Sequence, residues 1–169
     1  MTNAVISELR DDGAGRLSYR GARYLLIRPE TLAAVYHALE AALGGGAAEC
    51  FVAGGRAGGG KATASFTGAG RERVEALLAM GTRIGWGRFA LEHYAPGALV
   101  VTVTGSPFAE AHGSAREPVC HLTRGVLEAL AASVLSGRAR VTETACAAMG
   151  APACRFEARA ASSPERAGA

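Results

Sequence analysis

Three cysteines and one glutamate in the C-terminal third of the chain have the residue types and spacing of a metal site. Cys120, Glu143, Cys146 and Cys154 follow the pattern Cys-x22-Glu-x2-Cys-x7-Cys. Three thiolates and one carboxylate can fill the four positions around a tetrahedral zinc ion. Because a catalytic zinc ion keeps one position open for water or substrate, a set of four protein ligands indicates a structural role.

A helix is expected directly after Pro118, over residues 118–135. Proline is favoured in the first turn of a helix, so Cys120 would lie in that turn. Free backbone amides and the helix dipole favour a thiolate over a thiol there. Gly125 and the alanines near it give this helix a face of small residues, which we expect to leave room for a ligand.

Two strands should follow this helix and pair as a hairpin. Residues 139–144 and 154–159 both alternate between apolar and polar side chains, which puts Glu143 and Cys154 on apolar faces. A lone buried carboxylate costs roughly several kcal/mol, so Glu143 needs a strong partner. Cys146 has the opposite parity to Glu143, and we therefore expect a bulge or the start of the turn between them.

The rest of the chain predicts helices and a second hairpin. A strand, two helices and the two strands of the hairpin are expected over residues 23–27, 29–44, 70–83, 86–94 and 99–103. Residues 106–116 favour a loop or a short irregular element. Residues 47–66 are so rich in alanine and glycine that the sequence alone allows a loop.

Length and composition limit the possible classes of protein. A chain of 169 residues with 49% hydrophobic content can form one domain with a substantial core. The net charge of +3, without a basic run, gives no indication of nucleic-acid binding. We find no apolar stretch long enough to span a membrane and no signal peptide in residues 1–15, so we expect a cytoplasmic, reducing location that favours metal binding over disulfides.

One glycine-rich segment resembles a phosphate-binding loop. Gly55–Lys61 nearly satisfies the pattern GxxxxGK[ST], but Ala62 stands where a magnesium-binding hydroxyl is required. No acidic magnesium ligand at the end of a later strand accompanies it. We therefore interpret the glycines as a surface for close helix packing or as a mobile segment.

Two segments of the C-terminal third resemble a known family. Residues 118–122, Pro-Val-Cys-His-Leu, and residues 141–156, Val-Thr-Glu-Thr-Ala-Cys-Ala-Ala-Met-Gly-Ala-Pro-Ala-Cys-Arg-Phe, are similar to the 4-vinyl reductase domain family. That family includes aromatic-sensing input domains of bacterial transcription activators, a bacteriochlorophyll-synthesis accessory protein and stand-alone hydrocarbon-binding proteins. The resemblance is specific over residues 117–157 and extends more weakly back to Arg23.

The resemblance implies an α+β fold in which an antiparallel sheet packs against helices, similar to the NO-signalling and Golgi-transport ligand-binding fold. It implies one domain of the 4-vinyl reductase type over residues 16–160, between a flexible segment over residues 1–15 and a disordered tail over residues 161–169. Residues 47–66 would then form a second helix. In the sensor members, Cys, Glu, Cys and Cys at matching places hold zinc, which implies a structural zinc ion on Cys120, Glu143, Cys146 and Cys154.

The resemblance and the strand parity together predict a dry cavity between the sheet and the helices. The candidate lining residues are Trp86, Phe89, Leu91, Val101, Val103, Phe108, His112 and Val141. Phenol-type sensors use a histidine before the hairpin and a tryptophan in its second strand, whereas this chain has Ala79–Arg83 and Val101–Val103 in those places. We therefore expect a ligand that is apolar, or larger than phenol.

Three functions follow as alternatives. The first is a hydrophobic or aromatic small-molecule binding and sensory module, acting as a homodimer and through a regulatory protein partner. The second is an accessory or carrier protein of (bacterio)chlorophyll or tetrapyrrole synthesis. The third is a protein-interaction subunit, which a filled cavity would favour. We expect no intrinsic catalysis, because the chain shows no nucleophilic triad, dinucleotide fingerprint or iron–sulfur pattern.

Overall fold

Helices flank a four-stranded antiparallel sheet in the computed structural model, which describes residues 4–135 and 137–161. The helices in these ranges are α1 Ala4–Glu8, α2 Pro29–Leu43, α3 Gly46–Ala64, α4 Gly70–Arg83, α5 Pro107–His112 and α6 His121–Val134. The strands are β1 Arg10–Asp11, β2 Leu17–Tyr19, β3 Ala22–Tyr24, β4 Arg88–Ala95, β5 Ala98–Thr104, β6 Ala139–Ala145 and β7 Cys154–Ala160. A short 3-10 helix, Ala147–Met149, lies between β6 and β7.

The strands form two antiparallel sheets. Strands β1, β2 and β3 make a small sheet near the N-terminus, and the larger sheet has the order β4-β5-β7-β6. Strand β5 therefore pairs with β4 on one side and with β7 on the other. The α+β fold with an antiparallel sheet packed against helices is confirmed.

The core lies between the large sheet and the helices α4 and α6. Alternate residues of β5 are buried, as the period of a strand requires: Leu99, Val101 and Val103 are all at most 1% exposed. They pack in one cluster with Leu127 and Leu130 of α6. The predicted parity of the hairpin is confirmed, because Val103 pairs with Phe89 and Val101 pairs with Leu91.

Several element boundaries differ from the prediction. Helix α6 begins at His121, so Pro118 and Cys120 precede it. The reason is that Cys120 is the residue that caps the helix, and its backbone N–H donates to the carboxylate of Glu143 rather than continuing a helical turn. Helix α5 occupies part of the segment for which a loop or irregular element was expected, with Ser106 as its N-cap.

The N-terminal prediction is refined in the same way. The strand expected over residues 23–27 is β3, which ends at Tyr24. Residues 4–8 are helical and residues 10–11 form a strand. The proposed boundaries at residues 15 and 160 stay a prediction, and residues 162–169 of the predicted tail lie outside the described ranges.

Helix α3 lies directly against helix α6 through glycines. A Cβ atom on Gly55 would lie 2.2 Å from the carbonyl oxygen of Leu122, and one on Gly125 would lie 2.1 Å from the carbonyl oxygen of Val52. Such distances leave no room for a side chain, so the two backbones touch. The helix implied for residues 47–66 and the glycine-packing interpretation are confirmed, and Gly125 accommodates α3 rather than leaving room for a ligand.

This contact predicts that a single methyl group on the inner face of α3 destabilises the protein. We expect Gly55→Ala to lower the free energy of unfolding by about 2 kcal/mol or more, because the two helices must separate to admit the Cβ atom. Gly60→Ala is the matched control, since no atom lies within 4 Å of its Cβ position. It should stabilise the helix by about 0.5–1 kcal/mol. Urea denaturation of both variants measures the difference, and equal effects would contradict the contact.

Candidate metal centre and ligand cavity

The four predicted metal ligands come from three elements that meet at one end of the large sheet. Cys120 caps α6, Glu143 lies in β6, Cys146 follows the end of β6, and Cys154 begins β7. All four side chains are buried, with exposed fractions between 0% and 6%. The chain separations of up to 34 residues are closed by the fold, as the sequence pattern predicted.

A bulge and a tight turn bring the last three of these residues together. The pairing of β6 with β7 shifts its register between Glu143 and Ala145, which confirms the expected irregularity. This extra residue turns Cys146 toward the same side as Glu143. The carbonyl of Cys146 then accepts from the N–H groups of Met149 and Ala151, at 3.0 and 3.2 Å, and the chain returns toward Cys154.

The ligand atoms of the cluster have the separation that a single metal ion needs. The three sulfur atoms and a carboxylate oxygen all lie within 4.8 Å of one another. The Sγ atoms of Cys120 and Cys154 are 3.5 Å apart, close to the value of about 3.8 Å for two thiolates on one tetrahedral zinc ion. All four cysteines of the chain are free thiols, so no disulfide competes for these sulfurs.

The carboxylate of Glu143 carries a polar atom without a partner. Its Oε2 accepts from the backbone N–H of Cys120 at 3.0 Å, whereas its Oε1 is buried and has no hydrogen bond to any described residue. A buried acceptor of this kind is costly unless a cation or a donor meets it. The orphan oxygen and the three thiols therefore fit a bound divalent cation.

The electrostatics of the cluster point the same way. Burial raises the pKa of Glu143 to about 8, with the neighbouring Cys146 as a further cause. Hydrogen bonds from Cys120 and Cys154 lower the pKa of the Cys146 thiol, and the bond to Cys146 raises the pKa of Cys120 strongly. One thiolate is thus held by two thiols, and a metal ion could replace the protons that the cluster retains.

A separate cavity of about 340 Å³ lies between α3, α4, α6 and the start of β4. Most of its wall is aliphatic or aromatic, and four glycines of α3 form one side. The lining residues are Tyr24, Gly54, Gly55, Gly58, Gly59, Ala62, Leu77, Leu78, Met80, Gly81, Ile84, Trp86, Phe89, Leu122, Val126 and Leu127. This volume is within the range of small-molecule sites.

Comparison with known proteins identifies the family. Residues 99–160, which hold all four residues of the metal cluster, match the family model of the 4-vinyl reductase domain. The chain belongs to the 4-vinyl reductase domain family. The resemblance predicted from residues 117–157 is thereby confirmed.

Solved structures share the fold of this 4-vinyl reductase domain. The phenol-responsive sensory domain of the transcription activator PoxR, crystallised with phenol, gives a TM-score of 0.82 at 19% identity, over 92% of this chain and 86% of that chain. A vinyl-4-reductase family protein from Methanocaldococcus jannaschii gives a TM-score of 0.57 at 14% identity, over 83% and 84% of the two chains. No curated protein gives a significant sequence match. At these identities the likeness concerns the fold alone.

The cavity of this 4-vinyl reductase domain contains only part of the predicted lining set. Trp86 and Phe89 contribute to its wall. Val101, Val103 and Val141 are packed in the core, and neither they nor Leu91 line the three cavities described here. The inward faces of β5 and β6 are covered by α4 and α6, so the cavity lies among the helices rather than directly on the sheet.

Phe108 and His112 lie at two neighbouring cavities of the domain. Phe108 contacts Trp86 edge to face, with ring centroids 5.0 Å apart, and lines an apolar groove of about 460 Å³ beside the N-terminal elements. His112 lines a recess of about 20 Å³ together with Tyr36. The Nδ1 atom of His112 is buried there without a hydrogen-bond partner among the described residues.

His121, adjacent to a cysteine of the cluster, takes no part in it. Its Nε2 atom lies 3.1 Å from the hydroxyl of Tyr36, and burial lowers the pKa of His121 to about 4, with the charge of Arg124 as a further cause. The imidazole is therefore neutral at physiological pH and supports the helix start through Tyr36.

The glycines of α3 and the small residues facing them are the part of the cavity that sequence reasoning missed. Gly54, Gly58 and Ala62 recur at intervals of four residues, and this spacing was the signal of a smooth helix face. None of the helices in the described ranges is long and apolar enough to cross a lipid bilayer.

Proposed function

We propose that this 4-vinyl reductase domain is a binding and sensory module for a hydrophobic or aromatic small molecule, with a zinc ion as a structural element. The observation that carries this proposal is the cavity of about 340 Å³, whose described lining includes no acidic, basic or histidine side chain. Such a wall can bind an apolar molecule but offers no group for acid–base chemistry. A filled interior would have favoured a purely protein-interacting role.

The PoxR domain supports the sensory part of the proposal by its likeness in fold and by the phenol that it binds. A sensory module acts through a change that a partner reads, so we propose a regulatory protein partner. A cytoplasmic location stays a prediction, supported by four free cysteines and by thiols that are suited to a metal.

Zinc is the metal that best suits the donor set. Three sulfur donors and one carboxylate match the soft and borderline ligands that zinc takes in closed tetrahedral sites. When bound, the ion would join the start of α6 to both strands of the β6–β7 hairpin. Its role is structural because the four protein groups fill a tetrahedral shell.

We expect purified protein to contain about one zinc ion per chain, and Cys154→Ser to lose the metal and at least about 3 kcal/mol of stability together. Cys50→Ser is the matched control, because Cys50 is exposed and lies outside the cluster. Elemental analysis and thermal melts of both variants measure the two quantities. Freshly purified protein without any bound zinc would contradict the proposal.

Apolar compounds should stabilise the protein, whereas ATP and NADH should not. Saturation at about 100 times the dissociation constant contributes about 2.7 kcal/mol to the folded state, which a melting curve detects readily. Naphthalene is a suitable probe. Ala62→Phe should abolish its effect by filling the cavity, and Ala57→Phe, on the exposed side of the same helix, should not. Stabilisation by nucleotides alone would reverse the ranking of ligand classes.

We also propose a homodimer that forms through the N-terminal part of the domain. Large apolar side chains cluster there in contact with solvent: Ile6, Leu25 and Leu26 are 69%, 74% and 80% exposed. Apolar side chains grouped in this way indicate a protein interface. Helix α2 contributes less than its apolar stripe predicted, because Tyr36 faces inward and Val35 is 47% exposed.

The dimer predicts that one charge in this cluster disrupts association. Leu26→Asp should convert the dimer to a monomer, because an aspartate buried in an apolar interface costs several kcal/mol or more. Leu43→Asp, at the C-terminal end of α2, is the control and should remain dimeric. Light scattering at tens of micromolar measures the mass of each variant. A monomeric wild-type protein at that concentration rules the proposal out.

A further inference from the structure

The volume of the cavity limits the size of its ligand. An engineered protein cavity of about 150 Å³ is large enough to bind benzene. The cavity between α3, α4 and α6 measures about 340 Å³, which is more than twice that volume. A single ring would therefore leave much of the wall without contacts and forfeit dispersion energy there. A molecule of two rings fits the space better.

The wall of the cavity selects against charged ligands. Its described lining residues include no lysine, arginine, aspartate, glutamate or histidine. A carboxylate or phosphate would lose its hydration without gaining a counter-charge, which is strongly unfavourable. The glycines Gly54 and Gly58 of α3 also expose backbone rather than side chains, so this side of the cavity is smooth enough for a flat ring system.

Two side chains on the wall can hydrogen-bond strongly to a ligand: the hydroxyl of Tyr24 and the indole N–H of Trp86. Both residues also line the neighbouring groove, so they stand where the two cavities adjoin. The ring of Tyr24 is held edge to face against Tyr19, with centroids 6.1 Å apart. No described residue forms a hydrogen bond with the Tyr24 hydroxyl, which leaves it free for a ligand.

Building on the proposed ligand-binding function, we propose that the ligand is a neutral molecule of two-ring aromatic size that bears one hydroxyl-type group, and that Tyr24 is the residue that binds this group. The apolar rings lie against the glycines of α3 and the side chains of α4 and α6. The hydroxyl points toward the boundary with the groove. Burial raises the pKa of Tyr24, so the phenol stays neutral and can both donate and accept.

Isothermal titration with naphthalene, 2-naphthol and phenol tests the proposal on the full chain. For the wild-type protein we expect 2-naphthol to bind about three- to tenfold more tightly than naphthalene, through one additional hydrogen bond. Phenol should bind at least tenfold more weakly than 2-naphthol, because it covers about half of the apolar wall. Tyr24→Phe should remove the advantage of 2-naphthol over naphthalene and leave the affinity for naphthalene unchanged.

Tyr94→Phe is the matched control, because Tyr94 lines none of the three cavities described here, and the ratio between the two naphthyl compounds should persist in it. A ratio that survives Tyr24→Phe but is lost in Trp86→Phe would overturn the assignment of Tyr24. Phenol that binds as tightly as 2-naphthol would overturn the size class. Absence of binding by all three compounds would overturn the proposed function itself, which separates that failure from the other two.

Discussion

The contact between the backbones of α3 and α6 determines where α6 lies, and α6 takes part in every other feature of the domain. One side of the helix places Leu127 and Leu130 against the sheet. Another side places Leu122 and Val126 at the cavity. Its N-terminus presents Cys120 to the metal cluster. A helix held by backbone contact has little freedom to shift, because no flexible side chain lies between the two surfaces to absorb a displacement.

Ion pairs reinforce this crossing at its outer edges. Arg56 of α3 pairs with Glu128 of α6 at 2.6 Å, and Arg124 of α6 pairs with Glu49 of α3 at 2.8 Å. Each pair is partly solvated, so each contributes at most about 1 kcal/mol. Their arrangement is reciprocal, with one arginine on each helix. The pairs therefore favour one alignment of the two helices, while the close glycine packing supplies the contact itself.

The metal cluster shows how a buried site imposes local structure. The N–H of Cys120 would be an unpaired donor at the start of α6, and Glu143 accepts from it across the fold. This bond explains why the helix begins at His121 and not near Pro118, where the proline suggested a start. Sequence reasoning placed the four cluster residues together because their types and spacing carry chemical information. The exact helix start depends on a long-range hydrogen bond, which no local pattern contains.

The cavity was harder to anticipate for a related reason. Alternation along β4 and β5 correctly paired Phe89 with Val103, but alternation cannot reveal which element covers a strand face. Helices α4 and α6 cover Val101 and Val103, so these residues became core. In the glycine-rich stretch, the same residue type marks a contact at Gly55 and open space at Gly58. Only the placement of the neighbouring helix distinguishes the two.

Trp86 is the single tryptophan of the chain and belongs to the wall of the cavity. Its edge-to-face contact with Phe108 ties its surroundings to α5 as well. The indole emission of the native protein therefore arises from one position at the edge of the binding site. Ligand entry or a shift of α5 would alter the polarity and quenching around that one ring. The domain thus contains its own optical probe, and binding can be followed in unlabelled wild-type protein.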